Sequence, residues 1–356
     1  MFLAWKEIRY AKLRYGLIAG IMLLVAYVVF MLSGLANGLA DGNRQAVDDW
    51  QATNIILSED SNKIANASQL HLDDLEQVSA KEKAGIGIYS TAIEEKGGSE
   101  KTNVSIFGTD NQAFVVPKVI KGKLYKNDHE AIVSENLLAE GYKLNQTFKV
   151  NDQSFKIVGI TKATTYSIAP VIYLSSPAFK TLKYGAQPIE SDPINVIATT
   201  GKTSITNKTG QTKLEKMTPN TFIENIPGYK PEKLTLNAMI YFLFVVVAAI
   251  IGIFMYVITL QKTAIFGVMK AQGVATSYLV RSILAQAFLV GIIGVAVAIG
   301  LSVVTSLVLP SAMPFAVHWA EWALYAVILV LVAMVGGLFS MRTVTKVDPV
   351  TAIGGE

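Results

Sequence analysis

Tyr15–Ala40 contains no charged side chain and includes the run "LIAGIMLLVAYVVFMLSGLA". Leu234–Gln261, Ser282–Ala320 and Trp322–Met341 are also free of Asp, Glu, Lys and Arg. A bilayer core of about 30 Å needs ~20 apolar residues at a rise of ~1.5 Å each. Every run meets that length, so the chain is predicted to cross a membrane four times. Pro310 and Pro314 place the end of the third span near Leu309, because proline cannot continue a helix. Composition agrees: 51% of the 356 residues are hydrophobic and 16% charged, against about 25% charged in soluble domains.

Lysine and arginine set the orientation. Lys6, Arg9, Lys12 and Arg14 precede the first span. Lys262, Lys270 and Arg281 lie between the second and third, and Arg342 and Lys346 follow the fourth. The segment between spans three and four carries Glu321 and no Lys or Arg. Both termini are therefore expected in the cytoplasm. The first apolar run far exceeds the ~7–15 residues of a signal-peptide core, so an uncleaved span is expected despite the small residues Gly38-Leu39-Ala40.

The organisation read this way has nine parts. An interfacial helix at 1–14 leads into span one at 15–40, and an extracytoplasmic domain at 41–233 leads into span two at 234–260. A cytoplasmic helix occupies 261–275, span three 282–309, an outer loop 310–321, span four 322–341 and a cytoplasmic tail 342–356. In 41–233 the composition turns to Lys, Asn, Asp, Thr and Ser. Thr53–Ser58, Asn103–Gly108, Ala131–Ser134 and Pro193–Thr199 read as strands, and Thr147–Ile160 reads as a hairpin about Asn151-Asp152. Ser68–Ala80 reads as a helix capped by Ser68. Ser134–Leu144 reads as a short helix with Ser134 as cap and Gly141 as stop. The fold class is thus a four-span membrane protein with a large α+β domain between the first and second spans.

Chemistry is sparse. The chain has no cysteine, which removes disulfides, thiol catalysis and Cys-ligated zinc. His71, His129 and His318 stand at no metal-ligand spacing. No nucleophile–base or paired-carboxylate motif is visible, so no catalytic residues and no metal are expected. Gly201–Ser204, "GKTS", lacks the upstream glycine of a phosphate loop because Val196 stands there. A net charge of +4 implies no nucleic-acid partner. Spans without ionisable groups do not suit a proton-coupled carrier, so energy must come from elsewhere.

Gln261–Val274, "QKTAIFGVMKAQGV", is short, basic and helix-forming. On a helix, Ile265, Val268 and Met269 form one stripe, and Lys262, Phe266 and Lys270 the next. Two readings stay open: a surface helix lying on lipid, or a helix docking into a groove on a cytoplasmic subunit.

"QKTAIFGVMKAQGVATSYLV" resembles the segment between spans two and three of FtsX/MacB-type ABC permeases. Lys262, Ile265, Gly267, Met269, Lys270, Ala271 and Gly273 occupy the places of its motif. "KVDPVTAI" (Lys346–Ile353) is similar to the family's C-terminal motif, and "FLAWKEIRYAKLRYGLI" (Phe2–Ile18) to its start. "EAIVSENLLAEGYKLNQTFKVNDQSFKIVGI" (Glu130–Ile160) is similar to the core of the MacB-type outer domain. Within the family, "LADGNRQAVDDW" and "IPGYKPEKLTLNAMIYFLF" resemble the haem-efflux branch. The resemblance implies a homodimer in membrane lipid, bound to two copies of a cytoplasmic ABC ATPase that carry the ATP-Mg. It implies haem as exported substrate and no intrinsic cofactor. Lys262, Ile265, Phe266, Met269, Lys270 and Gly273 would then form the ATPase-coupling helix. Side chains able to ligate haem iron near outer span ends are Tyr27, Met31, Met217, Glu224, Tyr229, Met239 and His318, with Tyr241 and Met313 beside them. A permease for peptides, antimicrobials or lipoproteins, a transmitter acting on a cell-wall hydrolase, and a membrane-anchored receptor remain alternatives.

Overall fold

The computed structural model describes residues 2–95, 101–185, 191–310 and 313–339. The C-terminal motif at Lys346–Ile353, together with Arg342, lies outside them. The chain divides into two compact units, 1–38 with 234–356 and 39–233.

The membrane unit begins with helix α1 (Phe2–Tyr10), which turns at Ala11 into α2 (Lys12–Asp49). Helix α2 outlasts the apolar run Tyr15–Ala40 by more than two turns, because "DGNRQAVDD" has no helix breaker strong enough to stop it and buries Ala46 and Val47. Three short helices of the inserted domain follow: α3 (Asn136–Ala139), α4 (Ser176–Tyr184) and α5 (Pro219–Glu224). The membrane unit resumes with α6 (Tyr229–Gln261), α7 (Thr263–Ala271), α8 (Thr276–Val308) and α9 (Trp319–Phe339). Helices α2, α6, α8 and α9 are long and apolar enough to cross a membrane. Helix α8 stops at Val308, two residues before Pro310.

Small residues let the spans approach. A Cβ on Gly336 would lie 2.6 Å from the Ala248 carbonyl oxygen, and one on Gly252 3.2 Å from the Gly336 carbonyl oxygen. Helices α6 and α9 therefore cross backbone to backbone, as small-residue pairs permit. Gly294 admits Met22 of α2 in the same way, whereas Gly300 faces open space. Met22, Ala26, Phe30, Ile251, Ile283, Leu329 and Trp322 fill the common core.

In the inserted domain an eleven-stranded sheet is organised about the long strand Glu82–Glu95. Its first half pairs antiparallel with Val196–Thr200, with Ile86 opposite Val196. Its second half pairs with Lys101–Gly108, with Ile88 opposite Phe107. Two parallel contacts, Ala169–Leu174 with Lys101–Gly108 and Glu130–Ser134 with Gln153–Thr161, make the sheet mixed. The hairpin at Thr147–Val150 and Gln153–Thr161 turns through Asn151, whose φ of 50° suits asparagine. Trp50 sits against Phe107 and Phe222 at ring-centroid distances of 5.6 and 6.4 Å and closes the larger core.

Two local expectations need correction. Ser68–Ala80 is not an α-helix. Leu70–His71 pairs with Pro193–Ile194, Leu72–Gln77 is a 3₁₀ turn, and Val78–Ser79 pairs with Ser204–Ile205. Strand pairing at both ends leaves room for only that tighter turn, and Asp74 rather than Ser68 satisfies its start, accepting from the His71 amide at 2.9 Å. The helix in Ser134–Leu144 is one turn, Asn136–Ala139. Ser134 Oγ lies 3.4 Å from the Asn136 amide, and Gly141 takes a left-handed φ of 93°.

Candidate functional site

Helix α7 is set off from α6 by Lys262, whose φ of −109° and ψ of 8° interrupt the helix. It ends on Gly273 at φ 86°. The Val274 amide donates to the Met269 carbonyl at 3.0 Å and the Gly273 amide to the Lys270 carbonyl at 2.9 Å. This pair of bonds is the Schellman closure, which places its left-handed residue where glycine stands. Apart from its chain neighbours, nothing lies within 4 Å of a Cβ built on Gly273, so the requirement there is conformational.

The faces of α7 differ from the stripes expected of it. Phe266 and Gly267 are buried in the membrane unit, while Ile265 is 57% and Val268 43% exposed. Phe266 therefore anchors α7 to its own chain, and Ile265 with Val268 forms the outward surface. Met269 and Lys270 are half-buried.

A polar cluster holds the start of α7. Lys262 Nζ donates to Glu7 Oε2 at 2.7 Å, and Gln286 Nε2 donates to the same oxygen at 2.6 Å. Tyr15 Oη donates to Gln286 Oε1 at 2.6 Å, and Lys262 Nζ lies 5.7 Å from the centre of the Tyr15 ring. Arg14 donates to Gln261 Oε1 at 2.6 Å. One carboxylate on α1 thus joins the α6–α7 elbow to α8. Lys262 and Glu7 are each less than one-fifth exposed and Gln286 is buried, where charge-assisted bonds are strong. Neither Glu7 nor Gln286 stood out in the sequence. The available signal was that Glu7 is the lone acid among Lys6, Arg9, Lys12 and Arg14.

The candidate haem ligands fall into two groups. Tyr27, Met31, Met239 and His318 belong to the membrane unit; Met217, Glu224 and Tyr229 belong to the inserted domain. Tyr27 is half-buried, its hydroxyl 3.1 Å from that of Thr305 on α8. Met31 is half-buried, whereas Met239, Tyr241, Met313 and His318 are exposed. Met217 lies in the strand Leu214–Met217 and is buried in the domain core with Tyr229. Glu224, at the end of α5, is exposed.

The segment before α9 is fastened to α2. The Ala316 amide donates to the Gly34 carbonyl at 2.9 Å, and Asn37 Nδ2 donates to Glu321 Oε2 at 2.7 Å. Any side chain at Gly34 or Gly38 would strike Phe315 or the Pro314 backbone. Phe30, Trp322 and Trp319 continue the contact as ring pairs at 5.1 and 5.9 Å. Among the described residues no group of His, Asp and Glu is arranged to hold a metal ion.

Four apolar helices with an α/β domain between the first and second define a multi-pass membrane protein with an extracellular domain. Residues 16–211 match the family model of the MacB-like periplasmic core domain, and residues 237–349 that of the FtsX-like permease C-terminal region. The chain belongs to the FtsX/MacB-type family of ABC transporter permeases. It is 30% identical over 360 residues to the putative hemin transport system permease protein HrtB of Staphylococcus haemolyticus, covering 100% of this chain and 99% of that protein. An uncharacterized ABC transporter permease of Mycobacterium tuberculosis, Rv0072, is 25% identical over 364 residues, with the same coverage of each chain. Among solved structures, the periplasmic region of MacB from Actinobacillus actinomycetemcomitans aligns with 50% of this chain and 94% of its own at 17% identity and a TM-score of 0.34. Family membership implies a separate ATPase as partner.

Proposed function

We propose that the chain is the permease subunit of a pump that exports haem from the membrane and so relieves haem toxicity. In this reading two copies of the chain pair in the bilayer. Two copies of a cytoplasmic ATPase bind and hydrolyse ATP-Mg and act on α7, and both termini are cytoplasmic. The observation that carries it is the end-to-end similarity, 30% over 360 residues, to a protein named for hemin transport. The distribution of Lys and Arg supports the orientation. The outward Ile265 and Val268, on a helix held at both ends, suit a subunit contact. For the substrate, Tyr27 and Met31 at the middle of α2, Met239 in the outer third of α6 and His318 just before α9 offer oxygen, thioether and imidazole ligands to a planar apolar ligand entering from lipid.

The test is a haem titration of the detergent-purified chain followed by its Soret band, with Tyr27→Phe, Met31→Leu, Met239→Leu and His318→Ala beside the parent. A saturable, stoichiometric shift that one of these substitutions weakens by about tenfold or more, as loss of a metal ligand would, supports haem and begins to place its site. No shift, with the ATPase partner present as well, moves the substrate to peptides or lipids and leaves the permease assignment intact.

A further inference from the structure

We infer that the cleft between α1, the first turn of α2 and the α6–α7 elbow binds the phosphodiester headgroup of an anionic phospholipid. The inference rests on the membrane-spanning architecture and not on haem as substrate. The cleft has a volume of about 1300 Å³. Helix α1 contributes Lys6 and Arg9 to its wall, α2 contributes Lys12 and Arg14, and the elbow contributes Lys262. Among the residues that line the cleft one is a carboxylate, Glu7, and it lies on Lys262. Arg14 bonds to Gln261, which is neutral, so that contact orients the guanidinium without cancelling its charge. A concave wall with this excess of cations recognises phosphate, and arginine does so with a planar fork.

Charge alone would serve a soluble anion equally well; the rim and what leads from it favour a lipid. Trp5, Tyr10 and Leu13 line the cleft and are 50%, 95% and 87% exposed. Aromatic and aliphatic side chains beside basic ones are the signature of the headgroup region. Along α2, Leu13, Leu17, Gly20, Leu24 and Val28 fall within about 80° of arc at ~100° per residue. The four aliphatic members of that strip are exposed, and beyond its own turn of helix backbone nothing lies within 4 Å of a Cβ built on Gly20. A shallow apolar track with a glycine gap therefore runs from the basic cleft along the span. It gives acyl chains a path while the phosphate stays in the cleft.

Native mass spectrometry of the full-length chain tests this, with phosphatidylglycerol and phosphatidylcholine as probes. The expected result is a clear preference for phosphatidylglycerol. Loss of one wall cation should weaken phosphatidylglycerol binding about fivefold and leave phosphatidylcholine unchanged. Arg9 and Lys12 are exposed, so R9Q/K12Q should fold and lose about 25-fold by the same arithmetic; Arg9→Gln alone serves if the double variant does not. Arg281→Gln removes a cation outside the cleft and should change binding less than twofold if the cleft is the site. Equal binding of the two lipids, an unchanged affinity in Arg9→Gln, or the same loss in Arg281→Gln would overturn the site. Displacement of phosphatidylglycerol by inorganic phosphate would overturn the lipid in favour of a soluble anion.

Discussion

Glu7 shows how one side chain can set the position of an element far away in sequence. Its Oε2 accepts from Lys262 and from Gln286, 255 and 279 residues away. Replacing it with Ala leaves a mostly buried ammonium and a buried amide with only longer contacts, each 3.5 Å, to Tyr15 Oη and Ser282 Oγ. Bonds to charged groups contribute about 1.5–3 kcal/mol each, and the partial exposure of the pair lowers that. Glu7→Ala should therefore destabilise the membrane unit by about 2 kcal/mol, read as a lower midpoint in thermal unfolding of the purified chain. The exchanged pair Glu7→Lys with Lys262→Glu should recover part of the loss. A double variant no better than the sum of its single changes would mean that the two charges do not act through each other. Lys262 was legible in the sequence because it interrupts two uncharged runs. Its partners were not, since no spacing rule reaches across 255 residues, and Gln286 reads as one more tolerated polar side chain in a span.

Helix α7 is defined by its ends more than by its stripes. Gly273 holds φ 86° to close the helix, and a β-branched residue there pays roughly 1–2 kcal/mol for the left-handed backbone. Gly273→Val should fray the last turn of α7. If the ATPase acts on this helix, the variant should keep its place in the membrane and lose most of the stimulation that the permease gives ATP hydrolysis. Full stimulation in Gly273→Val would separate α7 from coupling. Basic character and a terminal glycine were enough to find the helix, but not to say which face is free. The resemblance puts Phe266 in the coupling segment but carries no information on its packing; the buried core of Ile251, Ile283 and Leu329 that it joins comes from other helices. The same blindness explains Ser68–Ala80. Leu70, Leu72 and Leu75 suit a helix locally, and only pairing with Pro193–Ile194, more than a hundred residues on, makes a strand of Leu70–His71.

At the scale of the whole chain the architecture was readable early, because bilayer thickness fixes the length of an apolar run and four such runs left one polar segment large enough to fold. The extent of α2 was not, since continuation to Asp49 depends on Ala46, Val47 and Trp50 finding a core in the inserted domain. That core has a measurable consequence. Burial raises the phenols of Tyr125, Tyr166 and Tyr173 well above their ordinary value, aided at Tyr125 by Asp110 and at Tyr173 by Asp49 and Tyr125. Tyr125 also donates to the Thr109 carbonyl at 2.7 Å, a bond only the protonated form makes. A group whose folded value lies above its unfolded one stabilises the fold fully below the unfolded value, about 10 for tyrosine. That contribution is lost as pH rises toward the folded value. Each phenol should cost about 1.4 kcal/mol per pH unit above 10, so the three together remove about 4 kcal/mol by pH 11. The inserted domain should hold its structure to about pH 10 and then unfold cooperatively, with the last phenolate absorbance appearing together with loss of circular dichroism. Smooth ionisation of all 14 tyrosines near their ordinary value, with the fold intact, would place these three phenols in contact with water and remove the packed core that carries α2 into the domain.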